Sequence, residues 1–546
     1  MAKRRRVVGS SSEAESNGYE PARTKRVQRK PRTAKTAKPK LTKRTAAADN
    51  ASDDDGTNIA TADQRPHAVT LHEIAEPEAI RVALLAWYDQ VHTTRGMPWR
   101  KPYNPDFGPE ERAQRAYEVW VSEIMLQQTQ VATVIPYYNK WMKKFPTIRD
   151  LAASDIETVN GLWKGLGYYS RAARLLSGAQ KVVKDLRGRL PDNAKDMEAK
   201  IPGIGRYSAG AICSIAYNQC VPVLDGNVHR LLSRVLALHA PPKVKQTLDI
   251  LWNAATAMVE GTHRPGDINQ AMIELGSTVC KVREPACETC PIRPWCQAYA
   301  VSRGSTKADE VPDIEELCAL CEPLPVPEGN PGLVNAFPMK ADRKKAREEL
   351  DIVNVIEWRS SINDDGRWFL LVRRPETGLL AGLHEFPTKP DVPADISAAE
   401  TAQIPQALLS SLLKKPPLPL KPRKSNTKTP AEDPLRIVQI KSAGDVLHVF
   451  SHIRKTYRVQ WVVLEGGAKC PELLPFCVPS ESGVAKVPRG RTKKPKQQDV
   501  DSDSDAVQIT EKLEARWLPL TEVAKANIGT GVLKVWNKAN ELWQSV

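Results

Sequence analysis

A chain of 546 residues, 41% hydrophobic and 26% charged, has room for about three to four domains with cores of their own. Its net charge of +15 suits a polyanionic partner. No apolar run reaches the ~18–20 residues of a membrane span, and Met1–Ser10 lacks the apolar core of a secretory signal, so the ten cysteines are expected in a reducing compartment, where metal binding is favoured over disulfides.

Residues 1–66 are rich in Lys, Arg, Ala, Ser and Thr, a composition expected to stay disordered. Fifteen Lys/Arg against three Glu fall within residues 1–45, so this tail holds most of the excess charge. Lys3–Arg6 and Arg23–Lys30 have the character of nuclear import signals or nonspecific DNA contacts. The expected location is the nucleus, with the mitochondrion as the alternative.

From about His67 the pattern turns helical, with Ile80, Leu84, Leu85 and Tyr88 on one face. Arg95–Arg100 breaks it, and a strong helical pattern then runs between Arg112 and Thr133. Further helices are predicted near 135–144, 154–163, 170–186, 194–200, 206–217, 227–238, 244–259 and 265–279, with Gly- or Pro-marked turns between them. Residues 67–300 therefore read as an all-α domain. Residues 301–345 contain many Pro and Gly without periodicity and read as a connector. Ile352–Glu357, Trp368–Arg373 and Arg458–Leu464 are strand-like, which makes 346–546 a separate α+β domain. Two polar segments inside it, 414–434 and 484–506, read as disordered insertions.

Three motifs carry chemistry. Gly203 and Gly205 sit between two predicted helices, in a turn that needs backbone freedom and aims free N–H groups where a phosphate can sit. Asp225 follows at a helix N-cap, where the field favours a carboxylate. Cys280, Cys287, Cys290 and Cys296 have the spacing C-x6-C-x2-C-x5-C. One close pair rather than two favours a [4Fe–4S] cluster over zinc. Lys281, Arg283 and Arg293 in that loop are available to phosphates. Cys318 and Cys321 form a further C-x2-C pair without a clear full ligand set; Cys213 and Cys220 are candidates only, and a second metal is not predicted.

The Gly-Ile-Gly turn followed by Asp-Gly-Asn-Val resembles the helix–hairpin–helix DNA glycosylases, and within them the MutY-type adenine DNA glycosylases. Ser-Glu-Ile-Met-Leu-Gln-Gln-Thr-Gln resembles the family's catalytic helix, and the cysteine spacing resembles its cluster loop. The resemblance implies removal of adenine mispaired with 8-oxoguanine in double-stranded DNA. It makes Glu123 the acid that protonates adenine N7, Asp225 the group that stabilises the cationic sugar, and Asn227 their hydrogen-bonding neighbour. Two carboxyls of differing protonation suit glycosidic cleavage. Tyr207 stands where bifunctional relatives carry a Schiff-base Lys, so the lyase route is absent. Gln127, Gln128 and Tyr168 match residues that fill the stack when the base flips out. Arg95, Trp99 and Gln270 fall where the family lines its adenine pocket.

Gly378-Leu-Leu-Ala-Gly-Leu-His-Glu-Phe-Pro387 resembles the start of a Nudix-type fold, but the metal-binding helix of true Nudix hydrolases does not follow it. Phe450, Ser451 and His452 resemble the family's loop that recognises 8-oxoguanine. Gln406–Leu413 faintly resembles a sliding-clamp motif, and an amphipathic helix explains it better. A monomer is expected, with other repair proteins as further partners.

Overall fold

The computed structural model describes residues 67–305, 314–326, 328–341, 345–360, 366–375, 379–420, 434–450, 452–474, 476–478 and 511–544. The basic tail, most of the first expected insertion, all of the second, Gly378 and Ser451 lie outside the described residues.

The first stretch is helical: α1 (Pro77–Val91), α2 (Pro109–Leu126), α3 (Val131–Lys144), α4 (Ile148–Ala152), α5 (Ile156–Trp163), α6 (Ser170–Asp185), α7 (Ala194–Lys200), α8 (Arg206–Tyr217), α9 (Gly226–Val235), α10 (Lys245–Val259), α11 (Pro265–Thr278) and α12 (Gln297–Ser302). Most bury one face, as amphipathic helices do; α1 buries Ile80, Leu84 and Tyr88. The second half of α2 is different. Tyr117 and Val119 to Met125 are buried around the whole helix, against the equally buried middle of α8. This makes α2 the central rod of the helical half.

The helical pattern expected from Arg112 to Thr133 is interrupted. The backbone leaves the helix at Gln127, Gln128 takes φ +54°, and a new helix starts at Val131. Apolar periodicity continues across the break, which is why it hides the interruption. The short α4 was not expected, because five residues give no periodicity; a capping box between Thr147 and Asp150 starts it.

The connector region is packed in part. Leu333, Val334 and Phe337 bury against the helical half, with Leu333 and Phe337 joining Ala298 and Val301 in one small cluster.

A mixed sheet follows. Its strands are β1 (Arg347–Arg359), β2 (Trp368–Arg373), β3 (His384–Glu385), β4 (Thr388–Lys389), β5 (Arg436–Val449) and β6 (Ile453–Glu465), after which come the pair β7 (Phe476–Val478) and β8 (Glu511–Leu513), and then β9 (Ala515–Pro519). The order is β3-β2-β1-β6-β5, with β1 and β6 parallel, β4 added to β1 and β9 added to β2. Alternate residues feed two cores, as the two-residue period of a strand requires. Val353, Val355, Phe369 and Val459 meet α15 (Thr530–Gln544), reached through α14 (Leu520–Val523). Ile356, Trp358, Leu370 and Val462 meet α13 (Ala398–Leu412) on the other face. Leu409, Leu412 and Leu413 of the clamp-like segment are buried in that second core. No helix among the described residues is long and apolar enough to cross a membrane.

Candidate active site and metal centres

Glu123 lies inside α2, Tyr207 in the first turn of α8 and Asp225 at the N-cap of α9. All three line one pocket of about 590 Å³, together with Arg95, Trp99, Asn227 and Gln270. The Tyr207 hydroxyl donates to Glu123 Oε2 at 2.8 Å. Burial raises the Glu123 carboxyl strongly, the Tyr207 hydrogen bond opposes it, and Asp225 adds to the rise; the result is a pKa of about 7. The same burial, next to two carboxyls, pushes the Tyr207 phenol well above its usual value.

Asp225 is fixed as a helix cap. Its Oδ1 accepts from the backbone N–H of Asn227 at 2.9 Å and of Val228 at 2.7 Å, and its Oδ2 accepts from Asn227 Nδ2 at 2.8 Å. Asn227 is held in turn. Arg230 Nη2 donates to Asn227 Oδ1 at 3.0 Å, and Arg230 Nε donates to the Cys280 carbonyl at 2.9 Å. Gly276 of α11 presses on Asn227; a Cβ there would lie 2.8 Å from the Asn227 backbone oxygen.

Of the hairpin glycines, Gly203 has φ +82° and needs to be glycine on conformational grounds. Gly205 does not: its φ is −102°, open to any residue. A Cβ at Gly205 would meet nothing within 4 Å, so what distinguishes this α8 N-cap is open space before free N–H groups.

Sequence reasoning missed two buried side chains that hold the site, Glu274 and Arg171. Glu274, with its side chain 2% exposed, pairs with Arg95 at 3.0 Å and Arg100 at 2.9 Å, which fixes Arg95 at the pocket wall. Trp99 is buried, in edge contact with the Tyr138 ring. Gln270 donates to the Gly266 carbonyl at 3.1 Å. Arg171 gathers the two exposed turns that carry Gln127, Gln128 and Tyr168. Its Nη1 donates to the carbonyls of Ile124, Met125 and Gln127, and its Nη2 to those of Leu166 and Gly167. Tyr168, 47% exposed with φ +49°, stands on the second turn. No local pattern announces Glu274 or Arg171, because their partners lie more than 40 residues away or on carbonyls.

Cys280, Cys287, Cys290 and Cys296 line a single cavity beneath α9. Arg234, 1% exposed, donates to Cys280 Sγ at 3.2 Å and to the Phe337 carbonyl at 3.1 Å, so it ties the cysteine loop to the connector. Lys281 and Arg283 are exposed, whereas Arg293 is paired with Glu288 at 2.6 Å.

A second donor set lies elsewhere. His67, His72, Cys318 and Cys321 bring one ligand atom each within 4.8 Å of one another, a set capable of holding a metal ion. His72 Nδ1 lies 2.9 Å from the Leu236 carbonyl. A proton on Nδ1 makes that bond and leaves the Nε2 lone pair facing the donor set, 3.2 Å from His67 Nε2 and 3.4 Å from Cys321 Sγ. Cys213 and Cys220 are not part of it: Cys213 is buried in α8, and the Cys220 thiol donates to the Thr262 carbonyl. The histidines were missed because no spacing links them to a cysteine pair almost 250 residues away.

In the β-rich half, Phe450 and His452 flank the turn between β5 and β6. The Phe450 N–H donates to Ile453 O at 2.8 Å, the His452 carbonyl accepts from Arg347 N at 3.0 Å, and the His452 side chain is exposed.

The model of the HhH-GPD superfamily of base excision DNA repair proteins matches residues 121–256. An adenine DNA glycosylase of Rattus norvegicus is 44% identical over 413 residues, 74% of each chain. That of Homo sapiens is 43% identical over 408 residues, 72% of this chain and 68% of its own. That of Arabidopsis thaliana is 36% identical over 486 residues, 82% of this chain and 70% of its own.

Proposed function

The chain belongs to the adenine DNA glycosylases, and on that premise we propose that it excises adenine paired with 8-oxoguanine in duplex DNA. It is a monofunctional glycosylase of base excision repair. The observation that carries the mechanism is one pocket holding a carboxyl with a pKa of about 7 beside a capped carboxylate.

In this reading Glu123, neutral below about pH 7, gives its proton to adenine N7, and the bond between the sugar and N9 breaks. Asp225, oriented by Asn227 and two backbone N–H groups, stabilises the cationic sugar. Glu123, now ionised, takes the proton of the attacking water. The Tyr207 hydroxyl positions Glu123 and has no amine to form a Schiff base. Arg95, Trp99 and Gln270 shape the adenine pocket. Gln127, Gln128 and Tyr168 enter the stack, Gly203 and Gly205 hold the backbone, and Phe450, Ser451 and His452 read 8-oxoguanine on the opposite strand.

The four loop cysteines fit a [4Fe–4S] cluster: all four, with Arg234 and Arg293, line one cavity that has no carboxylate in its lining. When bound, such a cluster would hold in place the loop that offers Lys281 and Arg283 to phosphates. The His67, His72, Cys318 and Cys321 set fits zinc, with two nitrogen and two sulfur donors and a locked histidine tautomer. The proposed state is a monomer in the nucleus, with the mitochondrion as the alternative location. A sliding clamp and other repair proteins remain proposed partners; Leu409, Leu412 and Leu413 of the Gln406–Leu413 segment are buried, so a clamp meets another surface.

The test is a duplex with a single 8-oxoguanine:adenine pair, incubated with the protein and then treated with alkali. Strand cleavage only after alkali is the expected result. Cleavage without alkali, with borohydride trapping, would overturn the monofunctional reading.

A further inference from the structure

Lys164 stands one residue before the turn Gly165–Gly167 that carries Tyr168. Its main chain belongs to the helical half, where the Lys164 carbonyl accepts from the Tyr137 hydroxyl at 2.8 Å. Its side chain belongs to the other half. The ammonium donates to the carbonyls of Ala524 at 2.7 Å and Ala526 at 3.0 Å, across 360 residues of sequence. Ala524 is the C-cap of α14, where unpaired carbonyls attract a cation. The turn itself has little freedom left. Gly165 takes φ +98° and Gly167 +78°, a Cβ at Gly165 would lie 2.5 Å from the Tyr137 hydroxyl, and Arg171 holds the carbonyls of Leu166 and Gly167.

On the other side, the segment that receives the ammonium runs directly into α15. The Ile528 N–H donates to the Ala526 carbonyl at 2.8 Å. The first turn of α15 sits on the strand ends that bear the lesion-reading turn: a Cβ at Gly531 would lie 3.2 Å from both the His448 and Tyr457 rings. His448 in turn packs edge-on against Phe450, with ring centroids 4.6 Å apart. A chain of packed groups therefore joins Tyr168 to Phe450, and Lys164 supplies a side-chain link between the two halves within it.

We propose that Lys164 is a positioning and specificity-determining residue, which couples recognition of the base opposite adenine to insertion of the Tyr168 wedge. It rests on the reading that the Phe450–His452 turn recognises 8-oxoguanine. With the bridge intact, a wedge set by the helical half and a reader set by the sheet meet the duplex in a fixed relation. Without it, Leu383 in the core of the helical half and the Arg516–Glu157 pair at 3.9 Å still join the halves, but the turn before Tyr168 is no longer tied to the segment that leads into α15, and the identity of the opposite base has less influence on extrusion.

Contiguity alone does not establish coupling, so the test is a double-mutant cycle on the full-length protein. Single-turnover excision is measured on 8-oxoguanine:adenine and guanine:adenine duplexes for wild type, Lys164→Met, Lys164→Arg, the Ser451→Ala/His452→Ala pair, and the pair combined with Lys164→Met. Met keeps the apolar stem and removes the ammonium. Lys164→Met is expected to narrow the preference about ten-fold, Lys164→Arg to restore most of it, and the combined variant to lose less than the product of the separate losses. An unchanged preference in Lys164→Met, with or without a lower melting temperature, would overturn the proposal, since a merely structural residue lowers stability without moving the ratio. Fully multiplicative losses would also overturn it. If the Ser451→Ala/His452→Ala pair leaves the preference untouched, the recognition reading itself fails, and the coupling falls with it.

Discussion

Glu123 lies in the half of α2 that is buried around the whole helix, with its side chain at the pocket wall, whereas Phe450 and His452 stand on a hairpin turn between two strands of fourteen and thirteen residues. The first arrangement removes water from a carboxyl and raises its pKa. The second leaves a His side chain exposed, with the His452 carbonyl held by the Arg347 N–H and the Phe450 N–H held by the Ile453 carbonyl. Burial is what a proton donor needs, and exposure on a rigid support is what a base reader needs. The halves should therefore fail differently: damage to the helical half should cost chemistry, and damage to the turn should cost choice.

The largest effect tests the helical half. Glu123→Gln and Asp225→Asn each keep shape while removing a proton source or a charge. Single-turnover excision should fall by about 10²–10⁴-fold, with mispair affinity changed only a few-fold. Near-normal rates in either variant would remove that residue from the mechanism and blur the contrast between the halves.

Metal content sharpens the comparison inside the helical half. The protein should carry about four iron and four sulfide per chain at the loop cysteines, and about one zinc at the mixed site. His72→Ala should lose the zinc and keep the iron. Loss of iron in that variant, or stoichiometric zinc with no iron in the wild type, would show that the sites were assigned wrongly.

Much of this contrast is legible in the sequence, for unequal reasons. Helix positions followed from apolar spacing, and the site residues Glu123, Tyr207 and Asp225 from motifs that resemble a family. Proximity was not legible: α2, α8 and α9 bring those three together from 84 and 102 residues apart in sequence. The break at Gln128 was hidden because apolar spacing continues through it. The long strand β5 was missed because, at the sheet edge, it buries few side chains and shows no sustained apolar run. Glu274, Arg171 and His72 act through partners that only folding supplies.

A middling effect tests the other half. Ser451→Ala with His452→Ala should narrow the preference for 8-oxoguanine:adenine over guanine:adenine by roughly one to two orders of magnitude, as one or two base-edge hydrogen bonds are worth ~1–3 kcal/mol. Phosphate contacts are untouched, so the salt dependence of binding should barely change. Paired titrations on the two duplexes at several salt concentrations measure both. An equal loss on both duplexes would mean that the turn grips backbone and reads nothing.

The smallest effect bears on how burial and hydrogen bonding divide the control of Glu123. Wild-type excision needs the protonated acid, so its single-turnover rate should be high below about pH 7 and fall as pH rises through that value. The Tyr207 hydroxyl donates to the Glu123 carboxyl, which favours the ionised form and holds the pKa below what burial alone would give. Tyr207→Phe removes that donor while keeping the ring. The pKa should then rise, and the falling limb of the pH–rate profile should move to higher pH by about half to one unit, the worth of one hydrogen bond. At low pH, where Glu123 is protonated in both proteins, the rates should agree within a few-fold. A limb displaced to lower pH would mean that Tyr207 stabilises the neutral acid instead. An unmoved limb would mean that the titrating group is not Glu123, and that the buried carboxyl in α2 is not the proton source.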